Sequence, residues 1–554
     1  MTTVEHHPGG KLRILRSQAN IQVVAPHDGP DSWPYRTFKS SPWTPVNLTV
    51  TTDHGGLADG YLFFTPKSRN STAIHQQLGL IMSSDNEIVY ALNESLGLND
   101  LRVQQVHGEP HLTFWRGRSV KGYGYGEFVA LNQHYEEKVL LSPTLDVHSV
   151  LPKTVQAPAM LDFHEHKVTP WNTVLVSAYN NTPANLSEYG GPERGWIVDS
   201  LIFELDLTTQ EVLSTWSALQ HLKVEDSRLP LPSHLSDGSF KHPYDFFHIN
   251  SVDTIDENTL LVNSRHMWAF YLISRHTGDV LWELNGGGET RGNFGILSEN
   301  DQFRWQHDAR AYNVTKSGMT ISIFDNHNTE DDTDKVESRG LMVAIELPPQ
   351  KSVKPKIVRH VLHSDGDKIF AQGQGCYDPC LENGNQLIGH GPIPVVQEFS
   401  RDGKLLWEGR FGGNNKAQSY RTFKQKWHAV PHGWGPSLAL EQAGQLQVAG
   451  GEADPNEAQI VGYVSWNGAT DIEAWNVYQT RDNVTETIIG AAPKVGFETV
   501  FHLPLSFFDL DAEAKKAIPE LGVNGSICIF VSAVQGSQEI RRSNTACISM
   551  DFST

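Results

Sequence analysis

Short apolar runs separated by turn residues fill most of the chain from about residue 60 onward. Their length of roughly four to eight residues and their glycine- and proline-rich borders are typical of β-strands. The first sizeable run with helical periodicity spans residues 511–518. The pattern therefore predicts an all-β fold. Residues 1–45 are polar and punctuated by proline, which predicts an extended N-terminal arm lying on the main body.

A repeated hairpin is visible when the apolar runs are aligned. Each unit has an apolar strand, a polar turn and a second strand with an aromatic residue, as at Trp216, Trp282 and Trp407. These tryptophans are 66 and 125 residues apart, close to one and two repeats, and further members fit residues 78–90, 128–141 and 341–347. A repeat of this length suits one propeller blade. We therefore predict a six-bladed β-propeller over residues 46–440, with the three tryptophans at equivalent blade positions.

The repeat stops at about residue 440, although strand-like runs continue. Apolar and polar residues alternate at 461–467 and 474–478, and further runs lie at 497–503 and 526–533. Alternation of this kind indicates strands with one buried face. Residues 441–554 are therefore predicted to form an appended C-terminal β-rich domain that resembles a β-sandwich.

Charge and composition narrow the choice of partners. The formal net charge is -20 and the sequence pI is about 5.6, which disfavours nucleic acid and anionic membrane surfaces as partners. The sequence contains no apolar run near the roughly 18 residues of a membrane span. We therefore expect a small molecule as the partner.

Two features bear on the compartment. Asn-x-Ser/Thr sequons begin at Asn47, Asn70, Asn93, Asn180, Asn185, Asn313, Asn483 and Asn524. About three or four are expected by chance, so the excess favours a secretory route with N-glycans. The N-terminus contains no apolar signal segment, which leaves a cytoplasmic location as the alternative.

The four cysteines form an even set. Cys376 and Cys380 could close a tight loop, and Cys528 and Cys547 lie in two apolar runs that could pair as neighbouring strands. We predict these two pairs as disulfides, with four free thiols as the alternative. The spacing does not fit a zinc ribbon.

Polar residues recur at the ends of apolar strand-like runs, where the inner strands of a propeller would converge on a central channel. His248 and Asn250, two residues apart, share one face of a strand, as do His164 and His166. The predicted catalytic set is His164, His248, Asn250, Arg265 and His307. The predicted substrate-binding residues are Tyr123, His166, Trp196, Phe246, His266, Trp268, Arg310, Asp325 and Asn326, with Tyr125 and Phe247 as further aromatics.

Such a set has several possible chemistries. It could hold an anionic oxygen by charge-assisted hydrogen bonds, and its histidines could transfer protons near neutral pH. A three-histidine metal site is disfavoured because Arg265 and Arg310 would oppose a cation. The glycine-rich run at residues 121–126 lacks the Walker spacing and is predicted to be a tight turn. We predict no cofactor and no metal.

The chain resembles the fungal arylsulfotransferase-like proteins, relatives of bacterial arylsulfate sulfotransferases. The matching motifs cover most of the chain from about 33 to 478 and lie at residues 33–38, 162–165, 195–200, 245–251, 264–266, 305–310, 324–326, 338–340 and 465–470. The resemblance implies a six-bladed propeller with a channel site. It also implies a transiently sulfated histidine, which by motif is His307. His164, His248, Asn250 and Arg265 would bind the sulfuryl oxygens.

Three functions follow from the resemblance and the residues. Some fungal members resemble hetero-Diels–Alderases, which join a tropolone o-quinone methide to a humulene-type sesquiterpene. That pericyclase activity is the main prediction, because aromatic residues and hydrogen-bond donors could hold two partners in a reactive geometry. The alternatives are an aryl sulfotransferase that moves a sulfuryl group between phenols through His307, and a non-catalytic binding propeller. The 376–380 insert departs from the expected fungal pattern and leaves the substrate open.

Overall fold

The computed structural model describes residues 13–25, 31–69, 72–151, 155–329, 331–362, 368–443, 459–481, 485–504, 507–508 and 525–550. Nearly all of the regular structure in these residues is strand, so the all-β prediction is confirmed. The helical-period run at 511–518 and the sequons at Asn70, Asn483 and Asn524 lie outside the described residues.

Six antiparallel sheets of four or five strands make up the part of the chain from Thr49 to Gln425. Sheet 1 consists of Thr422–Gln425, Tyr61–Phe64, Gly79–Met82 and Ile88–Leu92. Sheet 2 consists of Gly97–Val106, Glu109–Val120, Tyr123–Leu131 and Glu137–Leu141. Sheet 3 consists of His166–Val168, Thr173–Ala184, Gly195–Asp206 and Val212–Ser217.

The remaining three sheets follow in chain order. Sheet 4 consists of Ile249–Thr254, Thr259–Ser264, Ala269–Ser274 and Val280–Asn285. Sheet 5 consists of His307–Thr315, Gly318–Asp325, Arg339–Glu346 and Lys356–Val361. Sheet 6 consists of Cys376–Asp378, Gln386–Gly389, Val395–Phe399 and Leu405–Arg410, with Thr49–Asp53 as a fifth strand.

The predicted hairpins are the third and fourth strands of these sheets. Trp282 of sheet 4 and Trp407 of sheet 6 each lie directly beside a register shift in the fourth strand. In sheet 3 the same shift lies beside Ser214, so Trp216 is two residues further along on the same face. The expected equivalence therefore holds for Trp282 and Trp407 and is wrong for Trp216.

Neighbouring sheets pack face to face because successive side chains of a strand point to opposite faces. In the second strand of sheet 3, Val174 and Val176 join a hydrophobic cluster with sheet 2, whereas Leu175 joins a cluster with sheet 4. Both faces are therefore buried, which is why these strands read as continuous apolar runs.

The first and last of the six sheets pack against each other in the same way. Leu62 and Phe64 of sheet 1 share a hydrophobic cluster with Val396 and Trp407 of sheet 6. Sheet 1 is completed by Thr422–Gln425, which pairs with Tyr61–Phe64 from near the N-terminus. Further hydrophobic clusters join sheets 1 and 2, sheets 4 and 5, and sheets 5 and 6. The six sheets therefore contact one another in a closed cyclic order.

Two further sheets contain the C-terminal strands. Sheet 7 consists of Ser17–Ala19, Glu498–Pro504, Gln459–Ser465 and Ser437–Ala443. Sheet 8 consists of Thr485–Pro493, Ala474–Arg481, Gly525–Gln535 and Gln538–Arg542, with Ala546–Met550 pairing with Gly525–Gln535. The two sheets share one core, in which Trp475 and Val531 of sheet 8 cluster with Ile460 and Phe501 of sheet 7. These sheets therefore pack as a sandwich.

The described part of the N-terminal segment is joined to both regions. Ser17–Ala19 pairs with the strand Glu498–Pro504, and Val23–Val24 pairs with Tyr35–Arg36. The Arg36 side chain is buried and donates to the main-chain oxygens of Asn20 and Asn86. A further two-stranded ladder joins Lys67–Ser68 to Ala417–Gln418.

Helices are few and short. The α-helix Ala218–His221 is capped by the side chain of Ser217, and the 3₁₀ helices are Ser187–Tyr189, Val224–Asp226 and Glu299–Asp301. Within the ranges that the structure describes, no helix has the length and apolarity needed to cross a membrane.

The cysteines divide differently from the prediction. Cys528 and Cys547 form a disulfide between paired strands, as predicted. Cys376 and Cys380 are free thiols, so the second predicted disulfide is wrong. Cys376 is buried on a strand, and its Sγ lies 3.0 Å from the main-chain oxygen of Thr422, whereas Cys380 is exposed beyond the strand. The two thiols therefore lie in different environments.

Candidate active site

Three neighbouring sheets contribute histidines near the start of their first strands. His164 precedes the first strand of sheet 3, His248 precedes that of sheet 4, and His307 begins that of sheet 5. Arg265 and His266 follow the second strand of sheet 4, whose end pairs with the start of the first strand. Because these strand ends adjoin one another, residues far apart in sequence meet at one place.

Each of the first two histidines is held by an aspartate. The Nδ1 atom of His164 lies 2.5 Å from Oδ1 of Asp162, and Nδ1 of His248 lies 2.6 Å from Oδ2 of Asp245. The two imidazole centroids are 4.9 Å apart, with the rings nearly perpendicular. Since Nδ1 donates to the carboxylate in each pair, Nε2 is the nitrogen left for a substrate.

Aromatic and backbone features reinforce this pair. The Tyr420 ring lies 5.3 Å from that of His164, and the Tyr179 ring lies 5.7 Å from that of His248. His248 also has a positive φ of 51°, a left-handed conformation that is unfavourable for a side chain of this size. Asp245 accepts hydrogen bonds from the main chain and the ring of His248, which holds the strained residue in place.

Arg265 and His266 form the next part of the cluster. An Nη1 hydrogen of Arg265 is donated to Nε2 of His266 at 2.6 Å, and Nδ1 of His266 donates to the main-chain oxygen of Asp245. Burial lowers the pKa of His266 well below its ordinary value, and the adjacent guanidinium lowers it further. His266 is therefore neutral at pH 7, and Arg265 supplies a permanent positive charge beside it.

His307 has both ring nitrogens occupied. Its Nδ1 donates to Oδ1 of Asn326 at 2.7 Å, and its Nε2 accepts from the main-chain N–H of Gln374 at 3.1 Å. Burial lowers the pKa of His307 well below its usual range, with Arg265 adding to the effect. The imidazole is therefore neutral, and its lone pair faces the Gln374 amide.

The acid–base state of the cluster follows from its surroundings. Burial lowers the pKa of His248, although Asp245 opposes this shift. Burial alone would raise the pKa of Asp245, but the neighbouring His248 and His266 hold it at about 2. Burial raises the pKa of Tyr179 and Tyr420 well above 10, so both phenols stay protonated. At pH 7 His248, His266 and His307 are therefore neutral, and Asp245 is a carboxylate.

Several predicted site residues are used inside the protein. Asn250 is fully buried, its Nδ2 donates to the Gln306 main chain and its Oδ1 accepts from Asn263. Arg310 is bonded to Glu165 and Asp308, each at 2.7 Å. Both side chains therefore join sheets to one another, and their predicted roles toward a substrate stay predictions.

His166 also lies apart from the histidine pair. Its ring stacks on Phe128, and Nδ1 is 3.9 Å from Oδ2 of Asp100. Neither ring nitrogen has a hydrogen-bond partner, and burial lowers the pKa of His166 to about 4. The prediction that His166 faces the substrate with His164 is therefore replaced by a position in the core between sheets 2 and 3.

The other predicted positions have distinct environments. Tyr123 donates to Asp245 and contacts Tyr179, so it supports the cluster, and the hydroxyl oxygen of Tyr125 accepts from the main-chain N–H of Val150. Phe246 and Phe247 are fully buried in the core. Trp268 stands beside Trp305, over which Arg265 lies at 5.1 Å. Trp196 contacts Phe240, and Asp325 binds Arg339.

A buried network of charges lies next to the histidines. It alternates three guanidinium groups with three carboxylates, namely Arg102, Arg310 and Arg421 with Asp100, Glu165 and Asp308. Arg421 is fully buried and also donates to the main-chain oxygen of Asn250. The network therefore joins sheets 1, 2, 3, 4 and 5.

The first strands are linked around the whole cycle. The contacts run from Arg421 to Asp100, Arg102 to Glu165, the Val252 amide to Glu165, the Ala309 amide to Ser251, the Gln374 amide to His307, and Cys376 to Thr422. The polar contacts therefore follow the same cyclic order as the hydrophobic clusters.

One group in the cluster has the geometry for a cation. Asp245, His248 and His266 each offer a ligand atom within 4.8 Å of the others. The guanidinium of Arg265 already occupies Nε2 of His266, and its charge opposes a metal ion. These three residues are therefore disfavoured as a metal site.

Some residues of the site were absent from the predicted set. Asp162 and Asp245 precede their histidines by two and three positions, and this shared pattern was visible in the sequence. Gln374 acts through its main-chain N–H, so its residue type carries no indication of the role. Lys67 lies near the site in the two-stranded ladder with Ala417–Gln418, where the sequence shows no motif.

The fold and site define an all-β protein of cyclically packed sheets with a buried cluster of histidines and one arginine. The chain belongs to the arylsulfotransferase family: the family profile described as Arylsulfotransferase (ASST) matches residues 102–412, more than half of the chain. No curated protein matches it.

Three solved structures show weak likeness. A protein of unknown function from Bacteroides caccae has 13% identity and a TM-score of 0.36, with 66% of this chain and 98% of that chain covered. A member of the duf4221 family from Bacteroides vulgatus has 9% identity and a TM-score of 0.21, with coverages of 71% and 84%. The S. cerevisiae core factor has 10% identity, a TM-score of 0.23 and coverages of 76% and 62%. None is close enough to bear on the fold.

Proposed function

We propose that the chain is an aryl sulfotransferase that moves a sulfuryl group from an aryl sulfate to a phenol through His307. The observation that carries this proposal is the meeting of His164, His248, Arg265 and His307 at adjoining strand ends within the family-matched segment. The family implies small phenolic substrates. The Arg265 guanidinium suits an anionic sulfate ester, because charged donors form the strongest hydrogen bonds to oxyanions. The two aspartate-held imidazoles can accept a proton at Nε2.

The reaction has two balanced steps in this proposal. Nε2 of His307 forms a bond to sulfur as the bond from sulfur to the aryl oxygen breaks, and the phenolate leaves. An acceptor phenol then gives its proton to Nε2 of His248 or His164 as its oxygen bonds to sulfur and the N–S bond breaks. The proton gained protonates the next leaving phenolate. Arg265 stabilises negative charge on the sulfuryl oxygens throughout.

His307 must first be released from the Gln374 amide, because a lone pair that accepts a hydrogen bond is a poor nucleophile. A substrate sulfuryl oxygen that accepts from the same N–H would free Nε2 and gain a donor. This exchange makes the Gln374 main chain part of the proposed sulfuryl site.

The fold proposal accompanies the functional one. We propose that the six sheets are the blades of a six-bladed propeller whose first blade, sheet 1, is completed by Thr422–Gln425. The closed cycle of hydrophobic clusters and of contacts between first strands supports it. We also propose the division into an arm at 1–45, a propeller at 46–440 and a C-terminal domain at 441–554.

The test is turnover of 4-nitrophenyl sulfate with a phenol acceptor, together with peptide mass spectrometry of the enzyme mixed with donor alone. We expect a sulfated His307 peptide and a loss of several decades in rate for His307→Ala. His111→Ala removes a buried histidine of sheet 2 and serves as the control. Absence of both turnover and sulfated His307 in the wild-type protein contradicts the proposal.

The hetero-Diels–Alderase remains the second candidate, and one observation favours it. His307 is held at both nitrogens, as suits a residue with no covalent role. The family match supports sulfuryl transfer better than this activity. A tropolone methide precursor and a humulene alcohol distinguish the two: a pericyclase raises the product rate or changes the enantiomeric ratio, and an unchanged ratio and rate rule it out.

A further inference from the structure

A cavity of about 210 Å³ lies between sheets 1 and 2, beside the histidine cluster. Its walls include Thr65, Lys67, Gln77, Glu94, Ser95 and Leu98. Pockets for drug-sized ligands usually have volumes of about 300–1,000 Å³, so this one suits a ligand with a single ring. Its lining residues precede residue 102, where the family match begins.

Lys67 connects this cavity to the active site. Its Nζ lies 5.8 Å from the centre of the Phe163 ring, and that ring stacks on His164 with 4.3 Å between centroids. The ladder that contains Lys67 also pairs it with Gln418, whose side chain accepts from Gln374 at 3.3 Å. One residue, Phe163, therefore lies between Lys67 and His164. Two residues, Gln418 and Gln374, connect Lys67 to His307.

Two polar side chains of the cavity can form further hydrogen bonds. Nζ of Lys67 donates one hydrogen to Oδ1 of Asn99 at 3.0 Å. An ammonium group has three hydrogens, so others can be donated to a ligand. Burial lowers the pKa of Lys67 to about 8, so the side chain is still mainly charged at pH 7. Thr65 is only 3% exposed, and its Oγ1 has no hydrogen-bond partner. A buried hydroxyl without a hydrogen-bond partner destabilises the folded protein, and a hydrogen bond to a ligand oxygen would remove this penalty.

The one carboxylate in the wall is already paired. Glu94 lies 3.2 Å from Nη1 of Arg116, which reduces its repulsion of an anion. The apolar part of the wall, with Leu98 and Leu78, offers a surface for a ring. The lining therefore includes both polar groups for an oxyanion and apolar surface for an aromatic ring.

We propose that this cavity is a binding subsite for a small aromatic anion, whose oxygen is held by Nζ of Lys67 and Oγ1 of Thr65. The subsite rests on the proposed sulfuryl transfer for the identity of its natural ligand, the phenolate that leaves in the first step. The binding itself is independent of turnover.

The experiment measures binding of benzoate to the full chain by calorimetry at pH 7, with benzamide as the neutral probe of the same shape. Benzoate should bind at least tenfold more tightly than benzamide. Lys67→Met should weaken benzoate binding about tenfold or more, because it removes a charge-assisted hydrogen bond, and leave benzamide unchanged. Thr65→Val should weaken it severalfold with little change in shape, whereas Thr65→Ser should retain it.

The matched control is Lys39→Met, which removes an exposed lysine that pairs with Glu441. Equal benzoate affinity in wild type, Lys67→Met and Thr65→Val overturns the subsite, whatever the enzyme activity. If benzoate binding depends on Lys67 and Thr65 but the protein shows no sulfuryl transfer, the result supports the subsite and contradicts the proposed function. Melting curves show whether the Lys67→Met variant is folded. If it is not, the benzoate affinity of Thr65→Val and the comparison of benzoate with benzamide in the wild-type protein test the subsite.

Discussion

The main-chain N–H of Gln374 donates to Nε2 of His307 over 3.1 Å, and the main-chain oxygen of the same residue accepts from Nδ2 of Asn326. Asn326 in turn accepts from Nδ1 of His307. One imidazole, one amide side chain and the main-chain N–H and C=O of one residue therefore form a closed ring of hydrogen bonds. The arrangement sets the tautomer of His307 and makes Asn326 a positioning residue.

Asn326→Leu should impair catalysis without removing the nucleophile. Loss of the acceptor at Nδ1 allows the His307 ring to turn. Mutation of a residue that orients a functional histidine typically lowers activity by about 10–100-fold. We expect kcat for sulfuryl transfer to fall by about 10–100-fold with little change in KM, and sulfated His307 to accumulate more slowly. Asn326→Asp keeps an acceptor and should retain more activity.

Asn385→Leu is the control for this variant, since Asn385 is a buried, hydrogen-bonded asparagine of sheet 6. It should leave kcat within about twofold after correction for folded protein. Equal losses in Asn326→Leu and Asn385→Leu indicate a structural effect alone and contradict the positioning role.

The strands could be predicted from the sequence because their patterns are local. Runs such as that around Val174 are apolar on both faces, and glycine at hairpin turns, as at Gly403 with φ 85°, marks where they end. The partner of a polar side chain is set by other strands, which a single sequence does not show. Asn250 and Arg310 were therefore assigned to the substrate, although they bind Gln306 and Glu165.

His166 should make the folded state sensitive to acid. Its pKa falls from about 6.5 in the unfolded chain to about 4 in the fold, so the unfolded state binds the proton more readily between these values. The stability that the neutral ring provides is complete above pH 6.5 and is lost as pH falls toward 4. The shift corresponds to roughly 3 kcal/mol.

His166→Phe should therefore reduce the loss of melting temperature between pH 7 and pH 4.5. The new ring retains the contact with Phe128 and removes two unpaired nitrogens. His54→Phe, at an exposed position, should leave the acid sensitivity unchanged. An acid response in His166→Phe identical to the wild type contradicts this source of sensitivity.

The cysteines should show one disulfide and two thiols. Alkylation of the native protein should label exposed Cys380 and leave buried Cys376, whose pKa burial raises to about 12, unmodified. Unfolding without reductant should add Cys376, and reduction should add Cys528 and Cys547. Peptide mass spectrometry measures each step, and four labelled thiols without reductant contradict the assignment.

Loss of the disulfide should destabilise sheet 8. Cys528 and Cys547 enclose a loop with a sequence separation of 19, for which the loop-entropy estimate is about 3 kcal/mol. Cys528→Ala should lower the melting temperature, whereas Cys380→Ser should leave it nearly unchanged because that side chain is exposed.

We propose that the chain follows a secretory route, and accessibility then predicts which sequons carry glycans. Asn93, Asn185 and Asn313 are exposed. Asn47 is less accessible and accepts a hydrogen bond from Nδ2 of Asn86, and Asn180 accepts from the His148 amide. Among these five sequons, secreted protein should carry glycans at the three exposed ones, as measured by glycopeptide mapping. A glycan on Asn47 with none on Asn313 contradicts the prediction.

Arg421 should be essential to the closure of the six sheets. Its fully buried guanidinium contacts Asp100, Glu165 and Asp308, which belong to the first strands of sheets 2 and 5 and the segment entering sheet 3. Burial lowers the pKa of Arg421, but the surrounding carboxylates outweigh burial and raise it above its ordinary value, so the group stays charged. Removal of the Arg421 guanidinium leaves the buried carboxylates of Asp100, Glu165 and Asp308 with less compensating positive charge.

Arg421→Met should therefore cost about 3–5 kcal/mol, the usual penalty for breaking a buried ion pair. The expected result is a large fall in melting temperature and in the yield of folded protein. Arg542→Met provides the contrast, because Arg542 pairs with Glu486 at the surface and should contribute about 0–1 kcal/mol. Thermal unfolding of both variants measures the difference. Equal melting temperatures would show that sheet 1 is held to its neighbours by the hydrophobic clusters alone, and that Arg421 has no part in closing the cycle.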